Sequence, residues 1–122
     1  MFGQVGGIMN GMPVRYADNY SRNLKTYLDG EGISTNSLAN KTNISQKTIW
    51  VVQAGKSVPT VNTIQSISRA LPIDGRVMLS KELTLDQINK TGKIGRIMDD
   101  LIEMTSDQID HIRAIAKAFL SN

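Results

Sequence analysis

The stretch 33–71 constrains this chain more than any other. It holds three short amphipathic runs separated by polar breaks, at 37–42, 46–54 and 60–71, and the periodicity predicts a helix over each. Asn43, Ile44 and Ser45 form the first break, Gly55 stops the second run, and Pro59 and Thr60 mark the start of the third.

Local chemistry agrees with that division. Leu38 and Ala39 share one face of the first helix, and Ala39 is small enough to admit the next helix closely. Asn43 stands in the tight turn, where asparagine tolerates a left-handed backbone better than most residues. Ile44 is placed to plug the space between the helices, and Ser45 to cap the second by accepting from its first N–H groups. Ile49 and Val52 follow five and eight residues after Ile44 and point inward, which leaves Gln46, Lys47, Trp50 and Val51 on other faces. Gly55 suits the position just past a helix end. A helix, a turn of a few residues and a second helix is the layout of the helix-turn-helix, whose second helix enters the major groove of DNA.

Taken in register, Leu38, Ala39, Asn43, Ile44, Ser45, Ile49, Gly55, Lys56, Pro59, Ile64, Ile67, Ala70 and Leu71 resemble the lambda-type (XRE-like) repressor family, over residues 20–79. Two departures are visible. Asn43 stands where the family usually has Gly, and Leu28 and Gln53 stand where an Arg and a Glu often pair, so no orphan charge remains. The resemblance implies an all-α protein with a lambda-repressor-like five-helix DNA-binding domain at 18–83. It implies a sequence-specific transcriptional regulator, a dimeric repressor occluding a near-palindromic operator on double-stranded DNA.

Gln46 and Lys47 fall in the first turn of the second helix, where this motif reaches base edges. Gln can bond N6 and N7 of adenine, and Lys can donate to O6 or N7 of guanine. Thr48 can reach a base or a phosphate, and Val51, one turn after Lys47, can pack on a thymine methyl. In isolation such residues would be a solvated polar face. Ser34 and Thr35 precede the first of these helices, whose N-terminus suits a phosphate; plain capping would look the same. Ser45, Lys56 and Ser57 complete the expected backbone contacts, which set register without reading sequence. Trp50, the single tryptophan, lies beside the inward stripe and is expected at a core edge, partly buried.

Charge agrees with a polyanionic partner. The net charge is +3, and its distribution is uneven. Between Arg15 and Pro72 there are seven cations against Asp18, Asp29 and Glu31, whereas beyond Pro72 the signs nearly balance. There is no cysteine, no apolar run of about 20 residues and no charged start followed by an apolar core, so a cytoplasmic protein without disulfides is expected. No cofactor or metal is expected: His111 is the single histidine, and Asp99, Asp100 and Glu103 read as a solvated acidic face. No acid, base and nucleophile share a predicted face, so the chain is not expected to be an enzyme. No strand pattern is visible.

The flanks are less regular. Residues 1–17, rich in Gly and Met, read as a disordered leader, either idle or an arm along DNA through Arg15. Asp18 is placed to cap a helix over 19–29 with Tyr20, Leu24, Tyr27 and Leu28 inward, ended by Gly30 and Gly32. A fifth short helix is predicted over 76–83. Residues 84–122 predict a helical hairpin extension, with Thr84 as a cap, Gly92 and Gly95 as interruptions and Ser106 as cap of the last helix. Its apolar stripes include Ile97, Leu101, Ile109, Ile112, Ile115 and Phe119. A lone hairpin is too small to fold unaided, so it must pack on the domain, on a second copy in a homodimer or tetramer, or on another protein. Pairing between copies fits a repressor. Capture of a partner protein fits an antitoxin-like or adaptor module, with DNA binding autoregulatory.

Overall fold

The computed structural model describes residues 8–9 and 12–121, with side-chain surroundings over 16–121. Its spine is α1 (Val14–Glu31), on which α3, α5 and α6 all pack. Ala17, Tyr20, Leu24, Tyr27 and Leu28 recur at helical spacing and are all buried. This helix starts earlier than the sequence predicts. Ala17 already belongs to the buried stripe, so Asp18 lies inside the helix instead of capping it. At the far end Gly30 stays helical and Gly32 makes the turn, with φ of 67°. Ile33 N–H then donates to the Leu28 carbonyl at 2.9 Å and Gly32 N–H to that of Asp29 at 3.4 Å, the bond pair that closes a helix on a left-handed residue.

Of the expected leader, then, residues 14–17 are helical. Ile8–Met9 (β1) pairs antiparallel with Met12–Pro13 (β2), a two-residue pairing too short for any alternation to announce it. The other leader positions, and the Arg15 side chain, lie outside the described residues.

The three predicted helices follow, as α2 (Thr35–Thr42), which starts two residues before the expected run and takes in Thr35, α3 (Gln46–Gln53) and α4 (Val61–Ala70), with α2 packed on both of the others. Each starts on a hydroxyl cap: Ser34 accepts from Ser37 N–H, Ser45 from Thr48 N–H and Thr60 from Thr63 N–H. Leu38, Ile49, Val52, Ile64 and Ile67 join the α1 stripe in one core. Helix α5 (Gly75–Ser80) is shorter than the predicted run and begins one residue earlier. Asp74 caps it, accepting from the N–H groups of Arg76 at 2.8 Å and Val77 at 3.3 Å; Leu83 lies beyond the helix yet is buried.

No periodicity marks Asn23, which is fully buried on α1. Its Nδ2 donates to the carbonyls of Met78 and Lys81, both at 2.8 Å, and its Oδ1 accepts from Leu83 N–H at 2.8 Å. One side-chain amide thus satisfies the backbone where the chain leaves α5 and crosses back over α1.

Thr84 and Gln87 form a capping box that starts α6 (Leu85–Ile88). Helix α7 (Thr91–Ile102) runs unbroken through Gly92 and Gly95, which corrects their expected role as interruptions. Gly95 is a contact point: a Cβ there would overlap the Asp74 carboxylate. Arg76 clamps the junction, reaching Asp74 at 2.8 Å, Asp99 at 2.7 Å and the Gly95 carbonyl at 3.1 Å. The last helix, α8 (Ser106–Leu120), is capped by Thr105 with Gln108 closing the box, and Ser106 is its first residue rather than its cap. Among the described residues no helix is long and apolar enough to cross a membrane.

Candidate nucleic-acid interface

The turn between α2 and α3 decides how their starts face one another. Asn43 adopts φ of 60° and its N–H donates to the Ala39 carbonyl at 3.1 Å. Thr42 tightens the same turn, donating from Oγ1 to the Leu38 carbonyl at 2.8 Å and accepting from Ile44 N–H at 3.2 Å. The tight turn brings the first residue of α2 against the first residue of α3. Gln46 Nε2 donates to Thr35 Oγ1 at 3.1 Å, across eleven positions of sequence.

That bond restrains an otherwise free amide without exhausting it. Gln46 is exposed. One Nε2 hydrogen goes to Thr35, and the second hydrogen and Oε1 remain for the N7 and N6 of an adenine edge. Lys47 is exposed beside it. Val51 is half-buried one turn on, with Ile49 and Val52 buried behind it in the core.

The hydroxyl groups divide into engaged and open ones. Ser45 Oγ accepts from Thr48 N–H at 3.1 Å and donates to Thr48 Oγ1 at 2.8 Å, so its proton is committed within the cap. Thr48 keeps its own hydroxyl proton for an outside acceptor. Ser34 and Thr35 each accept one bond, from Ser37 N–H and from Gln46, and each retains a proton to donate. The leading N–H groups of α2 have no acceptor within the helix, and its dipole favours an anion there.

Past α3, Gly55 turns left-handed at φ 72°, with Gly55 N–H on the Val52 carbonyl at 3.0 Å and Lys56 N–H on that of Val51 at 2.9 Å. The backbone of Lys56 is therefore locked to the end of α3. Its Nζ lies 4.8 Å from the centroid of the Trp50 ring. Trp50 is 46 % exposed and not part of the core cluster, which corrects its expected partial burial at a core edge; its ring instead meets the lysine. Ser57 is exposed next to it.

Two features escaped the reading of the sequence. Leu28 is core, whereas Gln53 lines a surface cleft with Asp18, Ser21, Arg22, Lys25, Ala54 and Gly55. Arg22 and Lys25 thus flank the end of α3, each held by a carboxylate, Glu82 at 3.2 Å and Asp29 at 3.0 Å. The second feature was legible and overlooked. Between Glu31 and Asp74 there is no acidic residue at all, while Lys41, Lys47, Lys56 and Arg69 fall in that span. Among the described residues none of these four cations has a carboxylate partner, and no group of three His, Cys, Asp or Glu side chains is placed to hold a metal ion.

The candidate oligomerisation residues divide as well. Leu101 is half-buried and Ile97 exposed on α7, and Ile109, Ile112, Ile115 and Phe119 are all exposed on α8. Residues 34–35 and 46–48 are joined by the Gln46–Thr35 bond, and Ile49 and Val52 anchor α3 in the core behind them. No family model, no curated protein and no solved structure matches this chain.

Proposed function

We propose that the chain is a sequence-specific DNA-binding transcriptional regulator with a lambda-repressor-like domain at 18–83, acting as a dimeric repressor on a near-palindromic operator. One observation carries this reading: Gln46, anchored to Thr35 yet still able to bond an adenine edge, opens an exposed helix within a span that lacks any carboxylate. Anchoring lowers the entropy lost when the amide meets a base, and the absence of acids keeps phosphates from being repelled.

In this reading α3 lies in the major groove. Gln46 reads adenine, Lys47 donates to guanine, and Val51 packs on a thymine methyl. The start of α2, with Ser34 and Thr35, takes one phosphate, and Lys56 and Ser57 take another beyond the end of α3. Two copies place their α3 helices in successive grooves about 34 Å apart. No reaction is assigned to the chain. The exposed stripe of α8 favours a second reading, an adaptor in which that helix takes a different protein.

Selection from a pool of random duplexes tests the first reading. One sequence class should be enriched. On it, Gln46→Ala should cost about 1–3 kcal/mol and relax preference at one position, while Lys56→Ala should weaken all duplexes alike and lower the salt slope by about one. No enrichment, or equal losses by both variants on every duplex, would refute it.

A further inference from the structure

We propose that the cleft between α1 and the end of α3 binds a free amino acid, held by both its ammonium and its carboxylate. The cleft has a volume of about 530 Å³, within the ~300–1,000 Å³ usual for small-molecule sites. One wall is a single face of α1, where Asp18, Ser21, Arg22 and Lys25 follow one another at helical spacing. The other wall is Gln53 with Ala54 and Gly55, where α3 stops. Ser21 separates this cleft from an ordinary surface hollow. It is 4 % exposed, yet its hydroxyl bonds no other described residue. The unpartnered hydroxyls of Tyr20 and Ser68 are sealed from solvent, whereas that of Ser21 is not, so it opens on the cleft it lines. Buried polar groups are normally paired, and this one is left to a partner that enters from outside.

The charges say what kind of molecule that is. Asp18 is exposed and has no cation partner among the described residues. The carbonyls of Gln53 and Ala54, at the negative end of the α3 dipole, accept no bond among the described residues. Both suit an ammonium group. Arg22 donates one bond to Glu82 at 3.2 Å and Lys25 one to Asp29 at 3.0 Å. Each keeps further donors for a carboxylate, and exposed pairs of this kind hold weakly. A simple anion would meet the Asp18 carboxylate, and a simple amine would meet two cations. A molecule with both groups satisfies both signs. Asp18 and Arg22 stand one turn apart, about 6 Å along the helix axis, which the neighbouring ammonium and carboxylate of an amino acid bridge with a hydrogen bond at each end. Ser21 lies between them in sequence and can donate to the carboxylate or accept from the ammonium.

The site needs neither DNA nor a second copy, so its failure leaves base reading by Gln46 standing, and the reverse holds. The common L-amino acids are added singly, at millimolar concentration, to the full-length protein without DNA. Thermal melting and the amide NMR signals are followed, with inorganic phosphate and methylammonium chloride as controls that carry one sign of charge each. At least one amino acid should raise the melting midpoint and move the signals of 18–25 and 53–55, and the two controls should do neither. Asp18→Asn and Ser21→Ala should each weaken that binding about tenfold while the free proteins melt close to the parent. No response to any amino acid, an equal response to phosphate or methylammonium alone, or full affinity in either variant would overturn the inference.

Discussion

Replacing Asn23 with alanine should be among the most damaging single substitutions in this chain, although no charge and little apolar surface are lost. The native amide satisfies three backbone groups, the carbonyls of Met78 and Lys81 and the N–H of Leu83, at 2.8 Å each. Met78 and Leu83 are buried, so their groups cannot turn to water; Lys81 is exposed, and its carbonyl can rehydrate. Two buried polar groups left unpaired cost about 1–3 kcal/mol each. These sum to about 2–6 kcal/mol before the small cavity adds its own cost, a large part of the stability of a domain this size. Urea unfolding followed by the fluorescence of Trp50 reads the change as a lower midpoint at unchanged slope. Asn23→Asp should fare no better, because a carboxylate keeps the acceptor for Leu83 and sets negative oxygens against two carbonyls. A loss under about 1 kcal/mol for Asn23→Ala would show that the crossing at 81–83 does not depend on this amide, and the argument from buried polar groups would fall.

Tyr20 makes the opposite case: its hydroxyl is buried with no partner among the described residues, and burial pushes the phenol up, so it stays neutral. Tyr20→Phe should therefore leave stability unchanged or raise it by up to about 1 kcal/mol in the same urea titration. The clamp between α5 and α7 should respond to acid. The Arg76 guanidinium, bonded to Asp74, holds that carboxyl below the usual carboxylate range, so its contribution is complete above the ordinary value and is lost as pH falls below about 4. Melting curves taken on acidification should fall less steeply for Asp74→Asn, which starts lower, than for the parent. Thr35→Val removes the anchor of Gln46 with almost no change in shape, and should reduce the ratio of preferred to random duplex binding about two- to tenfold in a competition titration.

Much of the fold was legible because hydroxyl caps and left-handed residues are local signals. Ser45, Thr60, Thr84, Asn43 and Gly55 act within a few residues of themselves, and each does what its chemistry predicts. Errors arose where a distant contact outweighed the local preference. Gly92 and Gly95 are poor helix formers, yet α7 continues through them because Gly95 lets the helix settle on Asp74 and Arg76 from another helix. Burial of Ala17 draws α1 back past Asp18 in the same way. Thr105 and Ser106 were equivalent as caps by composition; Gln108, three residues after Thr105, closes the box and decides between them.

The site was legible to a different depth. Residue types and spacing single out Gln46, Lys47 and Lys56 as candidates, because a helix start and a loop after a glycine are sequential features. The bond from Gln46 to Thr35 was not, because it depends on how sharply the turn at Asn43 closes. The same holds for Lys56 over Trp50, where the closing bonds of α3 turn two residues six positions apart into one surface. These two contacts change what the residues can do. A free glutamine and a free lysine would each pay in side-chain entropy to meet a ligand, about 1.5–2 kcal/mol for residues this flexible. Held by Thr35 and by an indole ring, both have lost part of that freedom before any partner arrives. In the proposed DNA-bound arrangement, this restraint lets the short stretch between Ser34 and Ser57 be selective although α3 itself is only eight residues long.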